Sequence, residues 1–138
     1  MTEYKKPLPV PDLDSQQFWD SCRAHELSAQ RCRDCGKFRW PPQAFCPQCY
    51  SWKFDWTKLG ETGIVASFVV VHYVSIAAFQ DDLPYVIAHI TLDGTGEQIT
   101  MISNVINCPW EQVRLGMPVR VVFDDVTPEV TLPKFCPV

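Results

Sequence analysis

Two pairs of cysteines, each with the spacing Cys-x-x-Cys, constrain the first third of this 138-residue chain more than any other feature. Cys32 pairs with Cys35, and Cys46 pairs with Cys49. This is the spacing of a metal-binding knuckle, in which a tight turn points both sulfur atoms at one ion. Gly36 suits such a turn because glycine tolerates backbone angles that other residues avoid. Four protein ligands leave no coordination position for water or substrate, so the pattern predicts a structural metal, with zinc expected at all four cysteines.

Disulfides and unliganded thiols are alternative interpretations of the same cysteines, and rubredoxin-type iron uses a similar arrangement. Tyr50 and Ser51 follow the second knuckle where glycine would favour iron, so zinc is preferred. Metal binding to such sites is worth about 10–16 kcal/mol in small peptides. An ion could therefore hold residues 28–58 together without a large apolar core.

The number of cysteines and the hydropathy of the chain indicate the cellular compartment in which the protein is expected. Seven cysteines is an odd number, and four of them have metal spacing, which favours a reducing cytoplasm over secretion. The polar start of the chain does not resemble a signal peptide. The longest apolar stretch, Ile64–Val71, is too short to span a bilayer. We therefore expect a cytoplasmic protein without a membrane segment.

Charge is unevenly distributed along the chain. Residues 28–58 carry a net charge of +4, whereas residues 59–138 carry −6. The acidic part is a poor counterion for a phosphate backbone, so nucleic acid is not an expected partner. A nucleic-acid-binding protein remains the rival hypothesis of another class, because zinc ribbons and small β-barrels both serve that purpose.

The N-terminal part is predicted to be an extended arm followed by a helix, together residues 1–27. Alternating prolines favour an extended conformation. We expect the helix to begin at Ser15, with Asp14 as its cap and Gln17 completing a capping-box-like pattern. The prolines of the arm are Pro7, Pro9 and Pro11.

A zinc ribbon is predicted over residues 28–59, and a β-barrel over residues 60–138. Segments rich in β-branched and aromatic residues, separated by turn signals, predict five strands. Asp93–Gly96 predicts a hairpin turn between the second and third, and Pro109 to Gly116 predicts a short helical segment between the third and fourth. Five strands with a helix in this place is the element order of an OB-fold barrel. The expected strands are Ile64–Tyr73, Tyr85–Leu92, Gln98–Ser103, Val119–Asp124 and Val130–Phe135.

Nearly the whole chain resembles a family of small acyl-CoA-associated proteins, built from a helical arm, a rubredoxin-like zinc ribbon and an OB-fold. The combination of three features is fairly specific for this family. These features are the two knuckles, the proline pair after the first knuckle and the glycine boundary after the second. The matching segments are Phe18-Trp19, Gln30–Gly36, Pro41-Pro42, Cys46–Cys49, Gly60–Gly63, Pro84-Tyr85, Leu115–Val119 and Leu132–Phe135.

This resemblance implies a mainly β fold and a non-catalytic subunit of a complex that transforms CoA thioesters. The expected partner is a thiolase-fold catalytic subunit, most of all a thiolase of aromatic or other organic acid degradation. The alternative partner is a steroid-type acyl-CoA aldolase or a hydratase. The small subunit is expected to stabilise the catalytic one and to help form the acyl-CoA site.

The chemistry of the side chains suggests which residues contact CoA and which contact the partner subunit. Basic side chains on the ribbon are candidates for the phosphates of CoA, and neighbouring aromatic rings could pack against its other parts. The alternative is that these cations only solvate the ribbon. The candidates for CoA are Arg31, Arg33, Lys37, Arg39, Phe38 and Trp40. The candidates for the partner surface are Pro7, Pro9, Pro11, Ile76 and Phe79.

Catalysis within this chain is not indicated. Thiolase chemistry needs an activated cysteine and a base. The remaining cysteines and the histidines form no recognisable local signature, so packing roles are expected for them. They are Cys22, Cys108, Cys136, His25, His72 and His89.

Overall fold

An extended arm and one short helix precede the β structure in this computed structural model, which describes residues 4–138. Helix α1 spans Gln16–Arg23 and is followed by eight strands. The first three strands are β1 (Ser28–Cys32), β2 (Phe38–Arg39) and β3 (Phe54–Lys58). The remaining five are β4 (Thr62–Val71), β5 (Tyr85–Leu92), β6 (Thr100–Val105), β7 (Pro118–Asp125) and β8 (Thr131–Pro137).

A different aspartate from the one predicted makes hydrogen bonds in the turn just before α1, where Ser15 takes the N-cap position. The N–H of Ser15 donates to Oδ1 of Asp12 at 2.8 Å, and the N–H of Asp12 donates to Oγ of Ser15 at 3.1 Å. This reciprocal pair satisfies donors at the helix start in the manner of a capping box. The prediction that Asp14 caps a helix beginning at Ser15 was therefore wrong by one residue, because Ser15 is the N-cap and the helix begins at Gln16.

Strands β1, β2 and β3 form the ribbon sheet, with β1 in the centre. In this antiparallel register, Gln30 lies opposite Arg39 on one side and Trp56 on the other. A hydrogen bond crosses from the ribbon to the barrel. The N–H of Phe38 donates to Oε1 of Gln98 at 2.8 Å, so the ribbon has a fixed place beside the β5–β6 connection.

Strands β4 to β8 close into a barrel in the order β4-β5-β6-β8-β7. Only β6 and β8 run parallel, and the other neighbouring pairs are antiparallel. A mainly β protein with a helix, a ribbon region and a five-stranded OB-fold barrel was predicted, and this fold is confirmed.

The barrel core comes from alternating side chains, as expected for strands with one buried face. Ile90, Leu92, Val119 and Phe135 are all fully buried. Gly63 lies where β4 meets β5, and a Cβ there would stand 2.7 Å from the carbonyl oxygen of Thr91. This close approach accounts for glycine near the start of β4.

The strand bounds differ from the prediction at several ends. Strand β5 was predicted correctly, but β4 begins and ends two residues earlier than expected, and β6 begins at Thr100 instead of Gln98. A bulge between Val65 and Ser67 shifts the pairing of β4 with β5. The alternation of buried and exposed side chains within β4 is therefore interrupted after Val65.

Two connections contain short 3₁₀ turns. The predicted helical segment after Pro109 is a single turn, Trp110–Gln112, and Gly116 lies beyond it with φ of +80°. The expected loop before β5 contains a second turn, Ala77–Asp82, with none of its residues fully buried. Within residues 4–138, no helix is long and apolar enough to cross a membrane.

Candidate metal centre and associated surfaces

The four knuckle cysteines meet at one end of the ribbon. The Sγ atoms of Cys32, Cys35, Cys46 and Cys49 all lie within 4.8 Å of one another. Sγ of Cys32 is 3.6 Å from that of Cys49, and the same distance separates Cys35 from Cys46. A tetrahedral zinc ion with bonds of about 2.3 Å would hold its sulfur ligands about 3.8 Å apart. The spacing of the sulfur atoms therefore fits one tetrahedral ion.

Backbone hydrogen bonds shape both knuckles in the same way. The N–H of Cys32 donates to the carbonyl of Lys37 at 2.8 Å, and the N–H of Cys46 donates to the carbonyl of Ser51 at 2.8 Å. Each loop thus closes on its first cysteine, which points the cysteine sulfurs inward. The N–H of Cys35 also donates to Sγ of Cys32 at 3.5 Å.

The electrostatics of the cluster favour a bound cation. The N–H of Cys35 is the main cause that lowers the pKa of the Cys32 thiol to about 6. The pKa of Cys49 instead rises to about 12, because desolvation and the neighbouring cysteine sulfurs outweigh the opposing effect of the Ser51 N–H. Sulfur atoms this close cannot all carry a charge alone, whereas a divalent cation lets every one bind as thiolate.

The ribbon cations proposed for CoA differ in how available they are. Arg31, Arg33 and Lys37 are exposed. The Arg33 guanidinium donates to Oδ1 of Asp55 at 2.7 Å. Nε of Arg31 donates to the carbonyl of Gly36 at 3.0 Å. Of these three, Arg31 and Lys37 make no ion pair within residues 4–138.

Arg39 is placed differently from the prediction, because its side chain is only 2% exposed. Its guanidinium lies 4.8 Å from the centroid of the Phe54 ring, and Nη1 donates to the carbonyl of Gln43 at 3.1 Å. Cation–π contact and one hydrogen bond compensate part of the cost of burial. A phosphate cannot reach this buried side chain, so Arg39 holds the ribbon together instead.

Neither of the predicted CoA-facing aromatic rings is fully open. The guanidinium of Arg31 lies 5.0 Å from the ring centroid of Phe38. Trp40 packs edge-on against Phe18 of α1, with centroids 4.9 Å apart. Both rings are half-buried and thereby join the ribbon to the helix and the barrel.

The two predicted partner segments lie side by side. Nζ of Lys6 is 2.5 Å from Oδ2 of Asp82 and 5.8 Å from the ring centroid of Phe79. Pro7, Pro11 and Ile76 are exposed, whereas Pro9 and Phe79 are half-buried. The arm and the Ala77–Asp82 turn therefore form one continuous surface, which we call the arm surface.

Sequence reasoning missed two sets of exposed apolar side chains. On the arm, Val10 is 89% exposed and Leu13 is 100% exposed. Beside the second knuckle, the Phe45 ring lies 6.4 Å from Tyr50 and 5.8 Å from Trp52, and all three rings are exposed. Hydropathy alone cannot distinguish such residues from core residues, because exposure depends on packing between distant segments.

The other cysteines and the histidines have structural surroundings. Burial raises the pKa of Cys22 to about 12, which keeps this thiol protonated. His25 contacts both carboxylate oxygens of Asp125 at 3.0 Å, and Nδ1 of His89 is 2.9 Å from Oγ of Ser67. Within residues 4–138, no hydrogen bond joins a cysteine outside the knuckles to a histidine.

A four-cysteine ribbon joined to a closed five-stranded barrel defines the class of protein: a rubredoxin-like ribbon followed by an OB-fold. Two family profiles match adjoining parts of the chain. Residues 19–55 match the ChsH2 rubredoxin-like zinc ribbon domain, and residues 56–124 match the ChsH2 C-terminal OB-fold domain. The chain belongs to the ChsH2 family, which confirms the resemblance inferred from the sequence.

Similar proteins include subunits of enzymes that act on CoA thioesters. A probable enoyl-CoA hydratase alpha subunit from Thermomonospora curvata is 32% identical over 132 residues. That match covers 96% of this chain but only 40% of the relative, so the chain spans two fifths of its length. A DUF35 domain-containing scaffold protein from Methanocaldococcus jannaschii is 38% identical over 98 residues, which cover 70% of this chain and 67% of that protein.

A solved structure is similar over almost its full length. It is a chain of the Ltp2-ChsH2(DUF35) aldolase, with a TM-score of 0.84 and 32% sequence identity. The match covers 94% of this chain and 98% of that chain. Hydratase and aldolase therefore appear among the names of the relatives, in line with the alternative partner. The expectation of a thiolase has no support among them.

Proposed function

We propose that this chain is a non-catalytic, zinc-stabilised subunit of a complex that transforms acyl-CoA, with a hydratase or an aldolase as its catalytic partner. The observation that carries this proposal is the likeness to the ChsH2 chain of an aldolase over 98% of that chain. The absence of a cysteine–histidine pair within residues 4–138 supports the same division of labour. The partner then carries the catalytic residues, and this chain has a structural role.

The proposed metal is one zinc ion bound by Cys32, Cys35, Cys46 and Cys49. Sulfur separations of 3.6 Å, close to those of a tetrahedral zinc site, support this assignment. With four protein ligands, the ion has no open position and serves to hold the ribbon. Elemental analysis of protein purified without added metal tests the assignment, with one zinc per chain as the expected result.

The arm surface is the proposed contact with the catalytic subunit. Val10 and Leu13 are exposed on the arm, and Ile76 is exposed just before the turn. Exposed large apolar side chains of this kind are typical of a protein interface. For CoA itself, Arg31, Arg33 and Lys37 remain the proposed phosphate contacts because they are exposed on the ribbon.

Nucleic-acid binding is less well supported than a protein partner. In OB-folds that bind oligonucleotides, the second and third strands of the barrel contribute to the binding face. Here those strands are β5 and β6, and neither contains a lysine or an arginine. Their exposed residues include Ile102, which suits an apolar contact better than a phosphate backbone.

The test is reconstitution with a defined partner. The tagged chain is purified from its native cell, the copurifying hydratase or aldolase is identified, and both proteins are then mixed in pure form. Light scattering should give the mass of a hetero-oligomer, and the partner should lose stability or activity without this chain. A Val10→Asp, Leu13→Asp variant should weaken assembly. Leu115→Asp, at an exposed position on a barrel loop, serves as the matched control.

A chain that stays alone at micromolar concentrations, beside a partner fully active without it, would reject the subunit proposal. Filter binding of single-stranded DNA and RNA at low salt distinguishes an acyl-CoA subunit from a nucleic-acid-binding protein. Retention of either nucleic acid would favour the nucleic-acid-binding protein.

A further inference from the structure

Strands β6 and β8 are neighbours in the closed barrel but lack a regular hydrogen-bond ladder along most of their length, which leaves a gap in the backbone pairing. They run parallel and are paired only at Val105 and Phe135. Pro133 of β8 has no N–H to donate toward β6. Oγ of Ser103 donates to the Pro133 carbonyl instead, at 2.6 Å. The proline thus keeps a regular ladder from closing the gap between the two strands.

Two cavities lie along these strands and share part of their lining. One has a volume of about 390 Å³ and the other about 440 Å³. Asn104, Leu132 and Lys134 line both, so the cavities form one continuous cleft. This combined size lies in the range of small-molecule sites in proteins.

The first cavity has apolar walls from three parts of the fold. Trp19 comes from α1, Trp40 from the ribbon, and Ile102 from β6. Phe18 packs edge-on against both tryptophan rings, with centroids 5.1 and 4.9 Å away, and so fixes their orientation. Ile102 is 68% exposed although it is a large apolar residue in a strand. A concave apolar site where separate modules meet is a common place for ligand binding.

Charge in the cleft argues against an anionic ligand group. Nζ of Lys134 bonds to Asp124 at 2.6 Å, and Nζ of Lys6, in the second cavity, bonds to Asp82 at 2.5 Å. The two cationic side chains that line the cavities are therefore each paired with an aspartate. A buried carboxylate or phosphate would have to compete with these aspartates, whereas a neutral apolar group would not.

We propose that this cleft binds the acyl group of a hydrophobic CoA thioester, so that the chain takes a direct part in acyl recognition. The proposal rests on the proposed function, from which the CoA thioester is taken. The neutral thioester and the acyl group lie in the cleft, and the charged nucleotide stays outside it. The chain then favours large apolar acyl groups over acetyl.

The test uses the full-length, zinc-loaded chain and the S-benzoyl thioester of N-acetylcysteamine, a neutral probe without the nucleotide. Binding is followed by tryptophan fluorescence and by two-dimensional ¹H–¹⁵N spectra. Saturable shifts are expected at the indole N–H groups of Trp19 and Trp40 and at the amides of Ile102 and Leu132. Benzoate, which is charged, and the S-acetyl thioester, which is small, should each bind at least about tenfold more weakly.

Matched variants test the location. Ile102→Glu places a carboxylate on the apolar wall and should weaken binding of the benzoyl probe at least about tenfold. Val69→Glu is the control, because Val69 is 59% exposed on β4 and lies outside the cleft lining. The shift map of the unaltered chain decides the location even if a variant folds poorly.

Several outcomes would overturn the proposal: no saturation up to the solubility limit, equal affinity for acetyl and benzoyl probes, or shifts outside the cleft. If Trp19 and Trp40 become shielded from solvent when the complex assembles without the probe, a side chain of the partner fills the cleft. That result would also overturn the proposal. A chain that assembles with its catalytic subunit but binds no thioester supports the subunit function and rejects thioester binding in the cleft. A chain that binds the thioester without assembling supports binding in the cleft and rejects the subunit function.

Discussion

Gly36 and Tyr50 occupy equivalent positions in the two knuckles, although one is the smallest residue and the other is aromatic. The N–H of Gly36 donates to the carbonyl of Cys32 at 3.0 Å, and the N–H of Tyr50 donates to the carbonyl of Cys46 at 2.8 Å. Their φ angles are +75° and +63°. Both knuckles therefore require a left-handed residue after the second cysteine, and Tyr50 adopts that conformation despite its side chain.

Replacing Gly36 by alanine is predicted to destabilise the ribbon by about 1–2 kcal/mol, the usual cost of the left-handed conformation for an L-residue. A Cβ at this position would have no atom within 4 Å, so the cost is conformational and not steric. Chemical denaturation of the zinc-loaded protein measures the change.

Gly60→Ala is the matched control for this substitution. Its Cβ would also meet no atom within 4 Å, but its φ is not positive. Alanine there should leave stability unchanged or raise it by about 0.4–1 kcal/mol, since it restricts the unfolded chain. Equal effects of the two variants would contradict the backbone argument.

Removal of the metal is predicted to unfold the ribbon. Strand β2 has two residues, and the loops between β1, β2 and β3 depend on the knuckles for their shape. The binding free energy of such an ion, about 10–16 kcal/mol in peptides, is therefore part of the folding free energy. A strong chelator should release one zinc per chain and collapse the amide dispersion of residues 28–58.

Cys35→Ser should have the same effect without chelator, because it removes one ligand. Cys108→Ser is its control, since Cys108 lies outside the sulfur cluster. A ribbon that keeps its spectrum in chelator would contradict a structural role for the metal.

The helix cap gives a prediction in which two neighbouring aspartates should differ. Asp12→Ala removes the acceptor for the Ser15 N–H and should cost about 1 kcal/mol. Asp14→Ala should cost much less, because the Asp14 side chain makes no hydrogen bond within residues 4–138. Thermal unfolding of the two variants in parallel measures the difference, and a larger loss for Asp14→Ala would show that the helix is capped otherwise.

The metal ribbon and the barrel could be predicted from the sequence because their signals are local. Knuckle spacing brings Cys32 and Cys35 onto one turn whatever surrounds them, and strand β5 alternates clearly between buried and exposed residues. Asp12 and Asp14 both precede Ser15 closely, so local pattern alone could not choose between them. That choice is made by the path of the arm into α1.

Arg39 shows what local pattern cannot supply. Its neighbours in sequence are charged or aromatic, which made it look like another solvated cation of the ribbon. Its burial is set by Phe54, a residue on another strand fifteen positions away, whose ring lies beneath the guanidinium. The cleft is likewise hidden in the sequence, because it forms between β6 and β8, whose pairing is non-local.

The contact of His25 with Asp125 predicts a dependence of stability on pH. It joins the turn after α1 to the barrel, where the ring of His25 also stacks on Phe123 at 5.2 Å. Hydrogen bonding from Thr131, followed by that from His25, lowers the pKa of Asp125 below its usual value. A carboxylate with a lowered pKa in the folded state stabilises the fold at pH values above about 4, its pKa in the unfolded chain. This contribution is lost as the pH falls through the lowered value.

Asp125→Asn should therefore destabilise the protein at neutral pH, and the difference from the unaltered chain should shrink below about pH 4. Denaturation at a series of pH values measures it, and loss of zinc in acid affects both proteins and cancels in the difference. Asp81→Asn is the control, since the exposed Asp81 side chain makes no hydrogen bond or ion pair within residues 4–138. A difference that stays constant down to pH 2 would mean that the charge on the Asp125 carboxylate does not contribute to the stability of the fold.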